Sequence, residues 1–134
     1  MTAPTTARFL HRHPHGFSNV VEITGGRLIF ITGQMSVDAD NQLIGANDFA
    51  VQVERVFERL VAELAAVGAT FEHVIKLETL AVADEFSEHM YTFGEIRNRY
   101  INVDNPPASA ITLAPKLVHP GALIDIGVIA HLPN

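Results

Sequence analysis

Residues 49–67 read FAVQVERVFERLVAELAAV, and this segment carries the clearest secondary-structure signal in the chain. Its apolar side chains recur at intervals of three and four residues, which places them along one face of a helix. Glu and Arg residues fill the opposite face, which is therefore predicted to meet solvent. Asn47 or Asp48 can cap the start, and Gly68 stands where a helix end favours a left-handed residue.

Five strands and a second helix are predicted around this segment. Gly25-Gly26 separates two apolar runs, 20–23 and 27–32, and this pattern is typical of a hairpin with a tight turn. The remaining predicted elements are strand 74–82, helix 86–100, strand 108–113 and strand 123–132. The order is β-β-α-β-α-β-β, which predicts an α+β domain with both helices on one face of the sheet.

The last predicted strand indicates that the other face of the sheet is also covered. Because side chains alternate along a strand, Ile124, Ile126, Val128 and Ala130 share one face. The opposite face carries Leu123, Asp125, Gly127, Ile129 and His131. Neither face is fully polar, so we expect copies of the chain to bury the second one.

Composition narrows the functional classes. The chain has 134 residues, no cysteine and a net charge of −6 with neutral histidines. We expect a single domain over residues 1–134, with residues 1–8 frayed and flexible. An acidic chain lacks the basic surface that phosphates require, which disfavours nucleic acid as a partner. No apolar run is long enough for a signal peptide or a membrane span, and we expect a cytoplasmic protein without a membrane partner.

Five short segments, taken in order, resemble the RidA/YjgF family of reactive intermediate deaminases. They are HGFSN (15–19), FITGQM (30–35), AAVGA (65–69), VIK (74–76) and GALIDI (121–126). The resemblance implies a chorismate-mutase-like α+β fold. It also implies a homotrimer whose small-molecule clefts lie between subunits, in agreement with a sheet that is apolar on both faces.

The sequence departs from that family where the family's chemistry resides. The substrate-binding Arg of the family falls on Ala108, and its catalytic Glu falls on Gly127. Ala108 cannot hold a carboxylate, which a guanidinium fork does in the family. Three further polar positions of the family are occupied here by Phe17, Met90 and Ala110. The loop 115–119 is also longer than the resemblance predicts.

The missing acid or base is expected to come from Asp125 first, from His119 second, or from the histidine segment 11–15. Asp125 lies two residues before Gly127 and hence on the same strand face, about 7 Å away. It is either a displaced general base or a carboxylate at an interface or rim. His119 lies in the lengthened loop and titrates in the useful range, or it is a surface histidine. Glu78 interrupts an apolar strand and is either buried with a partner or exposed to water.

The candidate ligand-binding residues follow partly from the resemblance and partly from position. Arg12 could replace the missing cation, and the histidines of segment 11–15 could instead hold a metal ion on one face of an extended chain. We favour a polar segment and predict neither a metal site nor a cofactor. The predicted substrate-binding residues are Arg12, Phe17, Thr32, Gly33, Ala108, Ser109, Ala110 and Gly127.

Two functions remain open at this point. The first is a divergent enzyme that acts on a small enamine, imine or related C–N or enol compound by proton transfer or water attack. The second is a non-catalytic trimer that binds a small ligand or a protein through the same cleft. A buried acid or histidine that points into the cleft favours the enzyme, and a wholly apolar cleft favours binding.

Overall fold

The computed structural model describes residues 6–84 and 86–133, which form six strands and two long helices. In chain order these are β1 (Thr6–His13), β2 (Phe17–Thr24), β3 (Arg27–Gln34), α1 (Phe49–Ala66), β4 (Val74–Val82), α2 (Phe86–Tyr100), β5 (Ala108–Ala114) and β6 (Ile124–Leu132). A short 3₁₀ helix, Phe71–His73, precedes β4. The α+β class and the positions of both helices agree with the sequence prediction.

Strand β6 lies inside a mixed sheet of four strands, in the order β3-β6-β4-β5. It pairs antiparallel with β3 and β4, whereas β4 and β5 run parallel. Strands β1 and β2 form a separate antiparallel pair. This pair is joined to the start of β5, because Ser18 donates from its hydroxyl to the Pro106 carbonyl at 2.6 Å and from its backbone N–H to the Pro107 carbonyl at 3.0 Å.

The predicted hairpin between β2 and β3 is wrong, although its glycines adopt the expected conformation. Gly25 and Gly26 have φ of 70° and 74°, but β2 pairs with β1 and β3 pairs with β6. The turn is held against the end of β6, where a His131 ring nitrogen contacts the Gly25 carbonyl at 2.8 Å. A side chain on Gly26 would overlap the Leu132 carbonyl, so the turn directs the chain onto β6.

Strand β1 was missed, and it changes the prediction for the N-terminus. Residues 6–8 were expected to fray, yet they pair with residues 22–24, and Arg8 forms a 3.0 Å ion pair with Glu22. Residues 1–5, for which flexibility was also predicted, lie outside the described residues. The pairing was missed because the polar stretch after Leu10 hides the alternation that a strand needs for recognition.

Both helices pack on one face of the four-stranded sheet and bury a shared core. The four residues of β6 that were predicted to share a face, Ile124, Ile126, Val128 and Ala130, are all buried. From α1 and α2 the core receives Phe49, Val53, Val56, Phe57, Leu60, Leu64, Phe86, Phe93 and Ile96. The predicted cap of α1 is also present, since the Asp48 side chain accepts from Val51 N at 3.1 Å.

Gln52 is a fully buried polar side chain on α1, and its amide connects three backbone segments. Its Nε2 donates to the carbonyls of Gly45 and Gly121, each at 3.1 Å. Its Oε1 accepts from the backbone N–H of Leu123 at 2.8 Å, one residue before β6 begins. The helix thereby fixes the point at which the chain enters the central strand.

We predict that Gln52→Leu lowers the free energy of unfolding by about 2–4 kcal/mol, because the leucine leaves buried backbone groups without partners. Urea denaturation followed by circular dichroism measures the change. Gln42→Leu is the matched control, since Gln42 is exposed, and it should alter stability by less than about 0.5 kcal/mol. Equal effects of the two substitutions would contradict the role given to Gln52.

Candidate functional site

The sheet face that points away from the helices carries a groove of about 780 Å³. Strands β3, β4, β5 and β6 all contribute to it. Five residues that were predicted for the site from the sequence lie together here, namely Thr32, Gly33, Ala110, Asp125 and Gly127. Among the described residues, its charged lining consists of Asp125 and Glu78, so the groove is acidic.

Asp125 is half-buried in the groove, and its carboxylate covers Gly33. A Cβ on Gly33 would overlap Oδ1 of Asp125, so the carboxylate occupies the space that glycine leaves free. Burial disfavours the charged form and raises the pKa of Asp125 above its ordinary value. A carboxyl group with a raised pKa in a groove is suited to donating a proton as well as accepting one.

Gly127 lies next to a distortion of the neighbouring strand β3. The register between β3 and β6 shifts between Ile31 and Gln34, opposite this glycine. A Cβ at position 127 would lie 3.1 Å from the Ile31 carbonyl and 3.3 Å from the Gly33 nitrogen. Contacts this short leave little room for a side chain, so an acid at position 127 would require β3 to move.

Glu78 is a candidate functional residue that the sequence left undecided. It pairs directly with Gly127 across the antiparallel ladder of β4 and β6, and it is exposed in the groove. Cross-strand partners share one sheet face, so Glu78 places a carboxylate beside the position where Gly127 has no side chain. Strand alternation could have indicated its face, but its partner became known only with the register of β4 against β6.

A second concavity, of about 1050 Å³, lies between α2, the β1–β2 turn and β5. It contains Phe17 and Ser109 from the predicted set, together with Met90. The predicted site is thus divided between two surfaces of the chain. The division follows from β5, where Ala110 faces the groove and its neighbour Ser109 faces the cleft.

Arg97 is a buried cation in the wall of this cleft, and it was not singled out from the sequence. Its Nε donates to Asn98 Oδ1 at 3.1 Å, and its Nη2 donates to the His15 carbonyl. Its guanidinium carbon lies 5.6 Å from the centre of the Phe93 ring. Burial lowers the pKa of Arg97 from its ordinary value. The helical spacing of α2 places position 97 beside Phe93, but it does not reveal that the β1–β2 turn covers it.

Three other predicted residues, Arg12, His119 and Ala108, lie outside both concavities. Arg12 donates from Nη1 to the carbonyl of Asp104 at 3.1 Å and to Oδ1 of Asn105 at 3.0 Å. His119 lies in its loop with one ring nitrogen 2.9 Å from the Asn41 carbonyl and the other 3.0 Å from the Pro120 carbonyl. Because carbonyls only accept hydrogen bonds, the Asn41 and Pro120 contacts favour the doubly protonated ring and raise the pKa of His119.

Ala108 is the first residue of β5, opposite Lys76 of β4, and is absent from the lining of either concavity.

In the histidine segment, His11 has a φ of 55° and is skipped in the pairing of β1 with β2. The alternation that would place these histidines on one face is therefore interrupted. The described residues contain no group of three or more histidine or carboxylate side chains that could hold a metal ion. Among them, no helix combines the length and hydropathy required to cross a bilayer.

We predict that Asp125→Asn stabilises the fold near neutral pH and has no such effect in acid. The folded-state pKa is raised, so the folded protein holds its proton more tightly than the unfolded chain. Wild-type stability therefore falls as the pH rises from the ordinary value of 3.8 through the raised pKa, and the variant lacks this loss. Denaturant unfolding at a series of pH values measures it, with Asp104→Asn as an exposed control. A difference in unfolding free energy between variant and wild type that stays the same at every pH would contradict the raised pKa of Asp125.

Comparison with known proteins assigns this chain to a family. Residues 11–132 match the family model described as Endoribonuclease L-PSP. The chain is 32% identical over 116 residues to protein DfrA of Myxococcus xanthus, covering 85% of this chain and 83% of that protein. It is 27% identical over 118 residues to a RutC family protein of Pyrococcus abyssi, covering 86% of this chain and 85% of the relative.

Solved structures agree with this match. The fold resembles the Rid family protein YyfB of Yersinia pestis with a TM-score of 0.74 and 30% identity, over 89% of each chain. It also resembles an endoribonuclease-like protein of Thermotoga maritima with a TM-score of 0.71, over 95% of this chain and 98% of the other; at 23% identity this likeness concerns the fold alone. The two helices on a mixed sheet are the architecture of these structures, and the chain belongs to the endoribonuclease L-PSP family, also called the YjgF/RidA family.

Proposed function

We propose that this protein is an enzyme that acts on a small imine, enamine or related C–N or enol compound. The observation that carries the proposal is the half-buried carboxyl of Asp125, which lies against Gly33 in the groove. Membership of the family supports activity on a small molecule. The reaction differs from the usual 2-imino acid deamination of the family, because Ala108 and Gly127 replace its guanidinium and its carboxylate.

Asp125 and Glu78 act together in the proposed reaction. Their strand positions are diagonal neighbours, since Glu78 pairs with Gly127 and Asp125 lies two residues away on β6. Diagonal side chains of this kind lie about 7 Å apart, which leaves room for a small substrate between the two carboxyl groups. Asp125 is half-buried, which raises its pKa, whereas Glu78 is exposed to water in the groove.

Hydrolysis of an imine illustrates the proton transfers. The Glu78 carboxylate removes a proton from water while the water oxygen bonds to the imine carbon, and protonated Asp125 gives its proton to the imine nitrogen. When the carbinolamine collapses, Glu78 returns its proton to nitrogen and Asp125 removes the hydroxyl proton. The C–N bond breaks, a carbonyl compound and ammonia leave, and both carboxyl groups regain their starting states.

The family description also names a ribonuclease, and we do not propose that activity. The chain has a net charge of −6, and the described lining of the groove holds two carboxylates and no lysine, arginine or histidine. A phosphodiester backbone would be repelled by such a surface. We further propose a cytoplasmic location and no requirement for a metal or cofactor in the reaction. His119 can act as acid or base, and Arg12 can bind substrate, only if assembly brings them to the groove of a neighbouring copy.

A non-catalytic binding module is the second candidate function. The loss of a side chain at Gly127 and of a cation at Ala108 favours it, because these positions carry the family's chemistry. The same groove would then bind a small ligand or a protein partner without transforming it.

Activity tests separate the two candidates. We expect slow hydrolysis of 2-aminoacrylate, because Ala108 stands where the family has the guanidinium that holds the substrate carboxylate, and each lost charge-assisted hydrogen bond costs about 1.5–3 kcal/mol. We expect faster turnover of another member of an imine and enol panel. Asp125→Asn and Glu78→Gln should each reduce that turnover by about 10²-fold or more. Glu88→Gln, an exposed residue of α2 outside both concavities, is the control. Absence of turnover across the panel would favour the binding module, and full activity in both variants would contradict the roles given to Asp125 and Glu78.

We also propose that the chain assembles as a homotrimer through the face that carries the groove. Phe30, Leu28 and Leu80 on β3 and β4 are 71%, 50% and 41% exposed, which is unusual for large apolar residues on a folded chain. The family resemblance supports three copies rather than two. Burial of this surface between copies would account for its composition.

Analytical ultracentrifugation tests the assembly. We expect a mass three times that of one chain, which is 14.6 kDa. Phe30→Glu should dissociate the trimer, because a charged residue would have to be buried without a partner. Val118→Glu is the control, since Val118 is 87% exposed in a loop and outside the groove, and it should leave the trimer intact. A monomeric wild-type protein would exclude both the trimer and a cleft between subunits.

A further inference from the structure

We propose that His119 is a proton-operated latch that holds the loop between β5 and β6 against the loop between β3 and α1. The inference does not rest on the proposed reaction, and it concerns a residue outside the described lining of both concavities. The first loop leads into β6, which carries Asp125, and the second loop follows β3, which carries Gly33. The latch therefore lies at the end of the two neighbouring strands whose contact shapes the groove.

The first reason is the hydrogen bonding of the His119 ring. Its Nε2 lies 2.9 Å from the Asn41 carbonyl in the other loop, and its Nδ1 lies 3.0 Å from the Pro120 carbonyl. A carbonyl only accepts and a neutral imidazole has one N–H, so the neutral ring can satisfy one of these contacts, whereas the charged ring donates to both. Loss of the proton therefore removes either the bond between the loops or the bond that orients the ring.

The second reason is that the Asn41 carbonyl is held in place by its own turn. Asn41 has a φ of 61°, and its backbone N–H donates to the Asp38 carbonyl at 2.9 Å. The Asp38 carboxylate accepts from the backbone N–H groups of Asp40 and Gln42, each at 2.9 Å. The ring therefore meets an acceptor that is already ordered, and little chain entropy is lost when the latch closes.

The third reason is that two other connections between the loops contain no titratable group. Gln52 Nε2 donates to the Gly45 and Gly121 carbonyls, and the Leu43 side chain lies against Gly121, where an added Cβ would be 2.8 Å from Leu43 Cδ2. These contacts do not respond to pH. Loss of the His119 proton thus frees the outer part of the loop, while the segment next to β6 stays in place.

The charged side chains near the latch act on it only through solvent. Asp38 and Asp40 in the turn favour the charged ring, whereas Lys116 in the same loop as His119 opposes it. Asp48, which follows the turn, is exposed and caps α1. In the described part of the chain no carboxylate forms an ion pair with His119. The two carbonyl contacts, and not a salt bridge, therefore define the latch.

The direction of the pH response follows from these contacts. The Asn41 carbonyl, and after it the Pro120 carbonyl, raises the pKa of His119 above its ordinary value of 6.5. The stabilisation of the closed loops is therefore fully present below 6.5 and is lost as the pH rises through the raised pKa. We expect the loops to be held together in mildly acidic solution and the outer loop to open in alkaline solution.

NMR titration of the unaltered protein tests the latch. The His119 ring should titrate above 6.5, and the carbonyl carbon resonances of Asn41 and Pro120 should shift with the same midpoint. The Ala122 amide, which donates to the His119 carbonyl at 3.1 Å, should be better protected against hydrogen exchange below that midpoint than above it. A ring that titrates at or below its ordinary value, or carbonyl resonances that do not follow the ring, would overturn the proposal.

Two substitutions at Asn41 form a matched pair. Asn41→Gly permits the left-handed backbone and should leave the midpoint of His119 unchanged. Asn41→Val disfavours that backbone, turns the carbonyl away from the ring and should return the midpoint toward the ordinary value. Equal midpoints in the two variants would contradict the latch. Asp125→Asn should titrate like wild type at His119, so failure of this proposal and failure of the proposed reaction give different results.

Discussion

The buried amide of Gln52 is the interaction on which the placement of the groove depends. It joins α1 to the Gly45 and Gly121 carbonyls and to the N–H of Leu123. Both its amide nitrogen and its amide oxygen are hydrogen-bonded. Because Leu123 immediately precedes β6, the helix sets the register with which this central strand enters the sheet. A shift of one residue would turn every β6 side chain to the opposite face and would bury Asp125 in the core.

Glycine at positions 33 and 127 determines which side chains line the groove. At position 33 it leaves room for the Asp125 carboxylate, and at position 127 it permits the close approach of β3. The acid that cannot easily extend from position 127 is present on the partner strand, where Glu78 lies directly opposite. Because cross-strand neighbours share a face of the sheet, the carboxylate of Glu78 on β4 lies on the same side as a side chain at position 127 of β6 would.

Local patterns were sufficient to predict both helices, the division of β6 into two faces and a cap at Asn47 or Asp48, since each depends on residues close to one another in the sequence. Pairing between distant segments was not accessible in this way. Strand β1 was missed, β3 was paired with the wrong strand, and neither the cross-strand partner of Glu78 nor the burial of Arg97 was foreseen. The position of Glu78 opposite Gly127 follows from the register of two strands. The burial of Arg97 follows from the β1–β2 turn, where His15 lies 82 positions earlier in the chain.

The division of the predicted site between two surfaces is a consequence of strand alternation in β5, and it bears on assembly. Within one chain, Ala110 and Ser109 point to opposite sides of the sheet, so the groove contains one of them and the cleft contains the other. The groove is acidic, whereas the cleft lining contains both a buried arginine, Arg97, and an exposed carboxylate, Glu95. The resemblance implies ligand sites between subunits, and a trimer that brought the cleft of one chain to the groove of the next would reunite the predicted residues.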